Sequence, residues 1–126
     1  MNNPFNLVLV EGEVWVGISL EGEPHHVILL SATPDKDLKW QEALAWAKSV
    51  GGELPTRREQ SVMFGNRREG QYQNRWYWSC EQSAGNDDYA WVQGFYYGGQ
   101  SYDRNDTHNR ARAVRRVPIG EGNEPR

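Results

Sequence analysis

The sequence lacks the features that mark secreted, membrane-spanning and disulfide-braced proteins. Cys80 is its single cysteine, so no intrachain disulfide can form. No apolar run approaches the ~20 residues that a membrane helix requires, and the N-terminus has no basic leader followed by an apolar stretch. We therefore expect no secretion signal and no membrane span, and a location in a reducing cytoplasm or in a particle assembled there.

Lysine is absent from residues 56–126, where all eleven arginines lie. The planar guanidinium group makes bidentate and stacking contacts that an ammonium group cannot make. The net charge of −3 is less basic than that of a typical nucleic-acid-binding protein. The charge pattern therefore favours a protein partner over nucleic acid; the plainer alternative is that these arginines pair with nearby carboxylates.

The sequence has no recognisable catalytic or metal-binding motif. His25-His26 and His108 lie far apart, with no Cys or Glu at zinc-ligand spacing, and Ser79 lacks the Gly-x-Ser-x-Gly context of a nucleophile. Asn86-Asp87-Asp88 offers three oxygen-bearing side chains, whereas calcium takes about six to eight oxygen ligands. A solvated turn is the preferred interpretation of that triplet, and a calcium site is the alternative. We expect a non-enzyme without cofactor or metal.

Residues 51–59 carry the clearest local signal in the chain. Gly51 can adopt the left-handed conformation that ends a helix, and Pro55 prevents the helix from resuming at once. Thr56 and Glu59 have the spacing of a capping box, in which each side chain binds an unpaired amide of a new helix. The segment predicts a helix, a turn and a second helix.

Hydrophobic patterning predicts one α+β domain over residues 1–126. Alternation predicts an N-terminal β-meander over residues 5–31, with strands at 5–10, 14–20 and 27–30. Residues 38–66 then follow the helical period and predict two helices. Their inward stripe is expected to comprise Trp40, Ala43, Leu44, Trp46, Ala47, Val50, Val62 and Met63.

Residues 70–119 predict a twisted, aromatic-rich antiparallel sheet. Its strands are expected at 76–81, 90–96, 100–103 and 110–119, with a polar turn at 83–88, a two-residue turn at Gly98-Gly99 and a frayed tail at 120–126. Trp78, Trp91 and Phe95 are assigned to the core. Tyr97, Tyr102 and the polar loop at 103–109 are assigned to the surface.

Several motifs occur in an order and spacing that resembles a known family. They are Trp40…Ala43…Ala47, Gly51-Gly52…Leu54-Pro55-Thr56, Trp78-Ser79, Ala90-Trp91…Phe95…Gly98 and Arg112-Ala113-Val114-Arg115. This family of uncharacterised bacterial and phage domains includes the C-terminal domain of a collagen-like adhesin. It is similar in fold to C-type lectins, formylglycine-generating enzymes and the variable proteins of diversity-generating retroelements. The resemblance covers roughly residues 38–117 and is closest to members carried by prophages.

The resemblance implies a C-type-lectin-like α+β fold, but the chain departs from its relatives at informative positions. Family members often carry Trp-Arg before Leu-Pro-Thr, and here only Glu53 occupies that segment. Formylglycine-generating enzymes need a reactive cysteine pair, whereas Cys80 stands alone and is expected to be a buried thiol. Classical C-type lectins bind sugar through calcium, and the sequence has no comparable carboxylate-rich loop outside Asn86-Asp87-Asp88.

The remaining candidate for function is a surface rich in Tyr, Arg, Asn and Gln between residues 70 and 109. This composition combines rigid aromatic contact area with adaptable polar groups, as recognition loops do. The predicted ligand-binding residues are Tyr72, Arg75, Tyr96, Tyr97, Gln100, Tyr102, Arg104, Asn105, Asp106, His108 and Asn109. The alternative is that alternate aromatic side chains on each strand simply fill the core.

We therefore expect a non-catalytic binding module. The first interpretation is a phage or prophage accessory protein that binds a host macromolecule inside the host cytoplasm. The alternative is a receptor- or glycan-binding, lectin-like domain of an adhesin or phage tail, associated with the virion. The expected partner is a host protein or surface receptor, with nucleic acid a weaker fit, and self-association is left open.

Overall fold

The computed structural model describes residues 5–119, which form an α+β fold of two helices and two antiparallel three-stranded sheets. The elements in chain order are β1 (Val14–Ser19), β2 (His25–Leu29), α1 (Trp40–Ser49), α2 (Arg57–Gly65), β3 (Trp76–Ser83), β4 (Asn86–Gly94), β5 (Gln100–Arg104) and β6 (Val114–Pro118). The first sheet has the order β1-β2-β6 and the second has the order β3-β4-β5. No helix within residues 5–119 is long and apolar enough to cross a membrane.

The predicted N-terminal meander is wrong in its first strand. Residues 5–10 are not a strand, and β2 instead pairs with β1 on one side and with β6 on the other. Asn6 has a φ of 55°, which a strand does not tolerate. Side chains bind the backbone of this segment: Glu13 accepts a hydrogen bond from the Val10 amide, and Arg115 donates to the Val8 carbonyl.

The helix junction is as the sequence predicts. Gly51 has a φ of 91°, and the Gly52 amide donates to the Ala47 carbonyl over 3.0 Å, which is the pattern of a Schellman motif. Thr56 then begins α2, because its hydroxyl accepts from the Glu59 amide at 3.1 Å and Glu59 accepts from the Thr56 amide at 2.9 Å. Both halves of the predicted capping box are present.

The second sheet differs from its prediction at both hairpin turns and at its last strand. β3 and β4 are joined by a tight turn at residues 84–85, so Asn86-Asp87-Asp88 begins β4 instead of forming a turn. β4 ends at Gly94, and the connection to β5 spans residues 95–99, so the two-residue turn at Gly98-Gly99 is wrong. The predicted strand at 110–119 is reduced to β6, which joins the other sheet.

Two hydrophobic clusters cover the two faces of the second sheet. On one face α1 packs against Trp78, Ala90 and Val92; on the other, Met63 of α2 packs with Tyr77, Phe95 and the first sheet. Aromatic N–H groups bind backbone inside the first cluster: the Trp40 indole donates to the Ser79 carbonyl and the Trp78 indole donates to the Leu38 carbonyl. Trp78 and Phe95 are buried as expected.

Trp91 is only half-buried and is not part of either cluster, which corrects its assignment to the core. It lies on the face of β4 opposite Ala90 and Val92, where α2 covers the sheet incompletely. The predicted frayed tail at residues 120–126 lies outside the residues that the structure describes.

Candidate functional site

Three large aromatic side chains are exposed together beside the β4–β5 hairpin. Trp76 is 43% exposed, Tyr96 is 58% exposed and Tyr97 is 86% exposed. The tyrosine rings lie 4.3 Å apart between centroids, so they do not point in opposite directions as two neighbours on a strand would. The reason is that both residues lie in the turn after β4. We call Trp76, Tyr96 and Tyr97 the hairpin patch.

Gly94 holds the hairpin patch together. It lies directly opposite Trp76 in the β3–β4 register, and a Cβ atom on Gly94 would meet the indole ring at 3.2 Å. The indole therefore packs on the bare backbone of the neighbouring strand. A groove of about 270 Å³ runs along this contact, lined by Asn74, Arg75, Trp76, Gly94, Phe95, Tyr96, Tyr97 and Gly99.

Two contacts fix the walls of this groove. Gly98 has a φ of 88° and lies against the ring of Phe64, which orders the turn next to α2. Arg75 forms an ion pair with Asp37, and Asp37 also binds Arg110 at 3.1 Å. Burial raises the pKa of Asp37, but the hydrogen bonds from Arg110 and Arg75 outweigh it and hold the pKa below its usual value.

A second aromatic feature lies on the face of β4 and β5 that α2 covers only in part, and we call it the aromatic ladder. The Trp91 and Tyr102 rings meet edge-on at 5.1 Å, and Tyr89 meets Tyr102 at 5.7 Å. The Arg57 guanidinium lies 3.5 Å from the Trp91 ring centroid, within cation–π range, and Arg104 lies 5.9 Å from Tyr89. Aromatic and cationic groups thus alternate along the strand pair.

A hydrogen-bond network links the aromatic ladder to α2. Gln100 accepts from the Arg57 guanidinium at 3.1 Å and donates to the Arg57 carbonyl and to Gln93 at 2.9 Å each. Gln93 is buried and donates to the Gly94 carbonyl at 2.9 Å. Because these amide groups bind one another, Gln100 orients Arg57 and is itself committed to structure.

The predicted site residues do not form one surface. Tyr96 and Tyr97 lie in the hairpin patch, and Arg75 lines its groove. Tyr102 and Arg104 lie in the aromatic ladder, which Gln100 links to α2. The remaining members lie elsewhere or are packed inside: Tyr72, Asn105, Asp106, His108 and Asn109.

Those remaining members have mostly structural contacts. The Tyr72 ring packs on Phe95 at 4.2 Å, and burial raises the pKa of its hydroxyl well above the usual value. The side-chain amide of the buried Asn109 donates to the Asp103 carboxylate at 2.9 Å. The side-chain amide of Asn105 donates to the Asp87 backbone carbonyl at 2.8 Å.

Asp106 and His108 are the exposed members of this group. Asp106 lies 3.5 Å from the guanidinium of Arg104, and an exposed ion pair of this kind adds little to the free energy of unfolding. His108 is exposed, at the far end of β5 from Tyr97. Neither residue extends the hairpin patch.

Arg57 and Gln93 are site residues that the sequence analysis missed. The sequence did contain a signal for Gln93. Along β4, Tyr89, Trp91 and Gln93 alternate with Ala90 and Val92, and the small apolar residues mark the face that packs against α1. Arg57 could not be found in this way. Its position over Trp91 depends on how α2 packs against the sheet.

A buried ion cluster joins α2 to the first sheet. Glu59 is fully buried and binds both Arg116 Nε at 2.6 Å and His25 Nε2 at 2.7 Å. Burial raises the pKa of Glu59, but hydrogen bonds from Arg116, the Thr56 amide and His25 outweigh it and hold the pKa below its usual value. The cluster is saturated with partners, so it serves folding.

Cys80 and the Asn86-Asp87-Asp88 triplet are the candidates for nucleophilic and metal chemistry. Burial raises the pKa of Cys80 to about 11, so the thiol stays protonated at neutral pH. Among residues 5–119, no three His, Cys, Asp or Glu side chains come together to hold a metal ion. Asn86, Asp87 and Asp88 are exposed along β4, and Asn86 accepts a hydrogen bond from the Asp88 amide.

Comparison with known proteins adds no assignment to this geometry. No protein-family model matches the chain, and no curated protein matches it.

Proposed function

We propose that this protein is a non-catalytic binding module that holds a macromolecular partner through the hairpin patch. The observation that carries the proposal is the clustering of Trp76, Tyr96 and Tyr97 in the open beside one groove. Tyr and Trp are enriched among the few residues that dominate interface energies. Exposed apolar patches of this kind mark interaction sites more often than bare surface does.

The absence of catalysis is part of the same proposal. The Cys80 thiol is held protonated by burial, and the buried carboxylate of Glu59 is already bound by Arg116 and His25. Neither group is free to act as nucleophile or general base. The exposed aromatic groups offer binding without an accompanying reactive side chain.

The nature of the domain and its partner rests on the resemblance in residues 38–117. We propose a C-type-lectin-like domain of phage or prophage origin whose partner is a host protein. The patch supports a protein over nucleic acid because its groove carries one arginine, Arg75, which is already paired with Asp37. Nucleic-acid sites need several unpaired cations to contact phosphates.

The test is a double substitution, Tyr96→Ala with Tyr97→Ala, compared with Leu20→Ala. Leu20 is 73% exposed just after β1, and it serves as the control for loss of exposed apolar surface outside the hairpin patch. Partners captured from bacterial lysate are identified by mass spectrometry, and folding is checked by thermal melting. We expect the double variant to melt like the wild type and lose its captured partner, while Leu20→Ala keeps it. Equal capture by all three proteins would refute the proposal.

A second candidate function is glycan binding. Tyr96 and Tyr97 offer ring faces for stacking on sugars, and Asn74 and Arg75 beside them offer hydrogen-bond donors to hydroxyl groups. A glycan array, probed with wild type and with Trp76→Ala, separates this candidate from protein binding. Glycan binding that Trp76→Ala abolishes would favour the lectin-like interpretation.

A further inference from the structure

β5 is an edge strand with one unpaired side. It pairs with β4 over its whole length, from Gln100 opposite Gln93 to Arg104 opposite Tyr89, without a bulge. The amide of Gly94 donates to the Gly99 carbonyl, and the amide of Asn105 donates to the Asp88 carbonyl. In an antiparallel pair every second residue directs its backbone N–H and C=O groups toward the neighbouring strand. Because Gly99 and Asn105 do so, Ser101 and Asp103 also direct their backbone groups toward β4.

Gln100, Tyr102 and Arg104 therefore direct their backbone N–H and C=O groups away from the sheet. Among residues 5–119 the Arg104 carbonyl accepts from the Thr107 amide at 2.9 Å, and no backbone bond is found for Gln100 or Tyr102 on this side. An unpaired row of this kind is a template for another strand.

The other strand edges are covered or interrupted. β1 carries a bulge between Trp15 and Gly17, and the Asn66 side chain binds the Val16 carbonyl at 2.9 Å. β3 is paired beyond its edge with Arg110, which exchanges two backbone hydrogen bonds with it at 3.0 Å. Glu53 forms an antiparallel bridge with Val114 at the start of β6.

β5 lacks these protective features. It contains no proline, no lysine and no bulge, and its two charged residues, Asp103 and Arg104, are of opposite sign. It is also straight in register over five residues, enough to offer a regular ladder.

We propose that β5 pairs antiparallel with β5 of a second copy of this chain, across a two-fold axis at Tyr102. In that register Tyr102 lies opposite its own copy, and Gln100 lies opposite Arg104. The Tyr102 amide and carbonyl meet those of the second copy, and the Arg104 amide meets the Gln100 carbonyl. The Arg104 carbonyl keeps its bond to Thr107 and shares its second lone pair with the Gln100 amide. The two second sheets become one six-stranded sheet, with the two aromatic ladders side by side.

The side chains are self-complementary in this register. Gln100 and Arg104 carry no like charge, and the two Tyr102 rings meet on the same face. On the other face Ser101 lies opposite Asp103 of the second copy, again without repulsion. A shift by one pairing step toward the C-terminus would place the two Asp103 carboxylates opposite each other, which disfavours it. A step in the other direction would leave only residues 100–102 of β5 paired. This complementarity identifies a second copy as the occupant.

The experiment measures the monomer–dimer equilibrium by sedimentation, at protein concentrations up to about 1 mM (a Kd there corresponds to weak association). Ser101 is exposed with no side-chain hydrogen bond found among residues 5–119, so it can carry a charge without disturbing the monomer. Ser101→Asp places like charges opposite at two sites in the dimer, and Ser101→Arg places opposite charges there. We expect Ser101→Asp to weaken the dimer by about two- to thirty-fold and Ser101→Arg to tighten it.

A second pair of variants tests the backbone. Tyr102→Pro removes the outward amide, whereas Tyr102→Ala removes the ring and keeps the amide; edge strands tolerate proline where the amide faces solvent. We expect Tyr102→Pro to melt as a folded protein and to abolish the dimer, while Tyr102→Ala retains it. If Tyr102→Pro does not fold, the two Ser101 variants decide the question.

Three results would overturn the proposal. A wild type that stays monomeric throughout the concentration range is one, and a dimer that responds equally to both Ser101 variants is another. The third is a dimer lost on substitution of Tyr97 and indifferent to Ser101, which would place self-association at the hairpin patch. Loss of lysate capture in the Tyr96/Tyr97 variant bears only on the proposed function, so the two proposals fail separately.

Discussion

The Thr56 hydroxyl group joins the start of α2 to the loop after β1. Its oxygen accepts from the Glu59 amide at 3.1 Å and donates to Glu21 at 2.8 Å in the loop after β1. Thr56→Ala removes the helix cap, and we expect a loss of about 1 kcal/mol in the free energy of unfolding. Denaturant titration measures it.

Thr56→Ser is the matched control for this prediction, because serine keeps the capping oxygen. It should retain nearly all of the stability that Thr56→Ala loses. Equal stability of all three proteins would show that the cap contributes nothing, and loss of partner capture without loss of stability would make Thr56 a binding residue.

Glu59 is a fully buried carboxylate paired with Arg116. Glu59→Gln leaves Arg116 without its buried counter-ion, and removing one partner of a buried pair costs about 3–5 kcal/mol. Glu53→Gln is the control: Glu53 binds the same guanidinium but its side chain is 57% exposed, so its loss should cost under about 1 kcal/mol. Comparable costs for the two variants would contradict this assignment.

The lowered pKa of Glu59 predicts that the free energy of unfolding depends on pH. The pKa of Glu59 is lower in the folded protein than in the unfolded chain, so the unfolded state binds the proton more readily. The stabilisation is complete above the ordinary glutamate pKa of about 4.3 and is lost as pH falls through the lower, folded value. Glu59→Gln should flatten the acid limb of a plot of unfolding free energy against pH.

At the scale of elements, the β4–β5 turn depends on one of its two adjacent glycines. Gly98 has a φ of 88°, and a Cβ atom there would approach the Phe64 ring to 2.4 Å, whereas Gly99 has open space around its Cα. Gly98→Ala should therefore destabilise the protein by more than about 1 kcal/mol. Gly99→Ala should be neutral or slightly stabilising, and thermal melting of the pair distinguishes them.

The helices could be predicted from the sequence because their signals are local. Gly51, Thr56 and Glu59 each act on a backbone group within a few positions, so the junction followed from spacing alone. The first predicted strand failed for a non-local reason. Its alternating valines suit a strand, but Asn6 has a positive φ and Arg115, from the far end of the sequence, binds the Val8 carbonyl.

The candidate site was predictable in composition and not in arrangement. Tyr97 and Tyr102 are exposed as their polar surroundings suggested, with Tyr102 at 51%. Asn109 and Tyr72 look equally suitable in the sequence, yet one binds Asp103 and the other packs on Phe95. Such contacts depend on which elements meet in space, and residue type does not encode that.

At the scale of the whole molecule, the fold should not depend on calcium. Asn86, Asp87 and Asp88 are exposed along β4 and supply too few oxygen ligands for a calcium ion. We expect a chelator to leave the melting temperature unchanged. A fall of several degrees that added calcium reverses, and that Asp87→Asn removes, would show that the triplet binds the ion.

The pairing of β2 with β6 has a consequence for synthesis. Leu29 leaves the ribosome long before its partner Val114, and at about 5–20 residues per second the delay lasts several seconds. Throughout that time Val27, Ile28 and Leu29, all fully buried in the finished fold, have one side of their strand unpaired. The first sheet cannot close until β6 has emerged. Until then the nascent chain is exposed to aggregation, and to capture by chaperones, at β2.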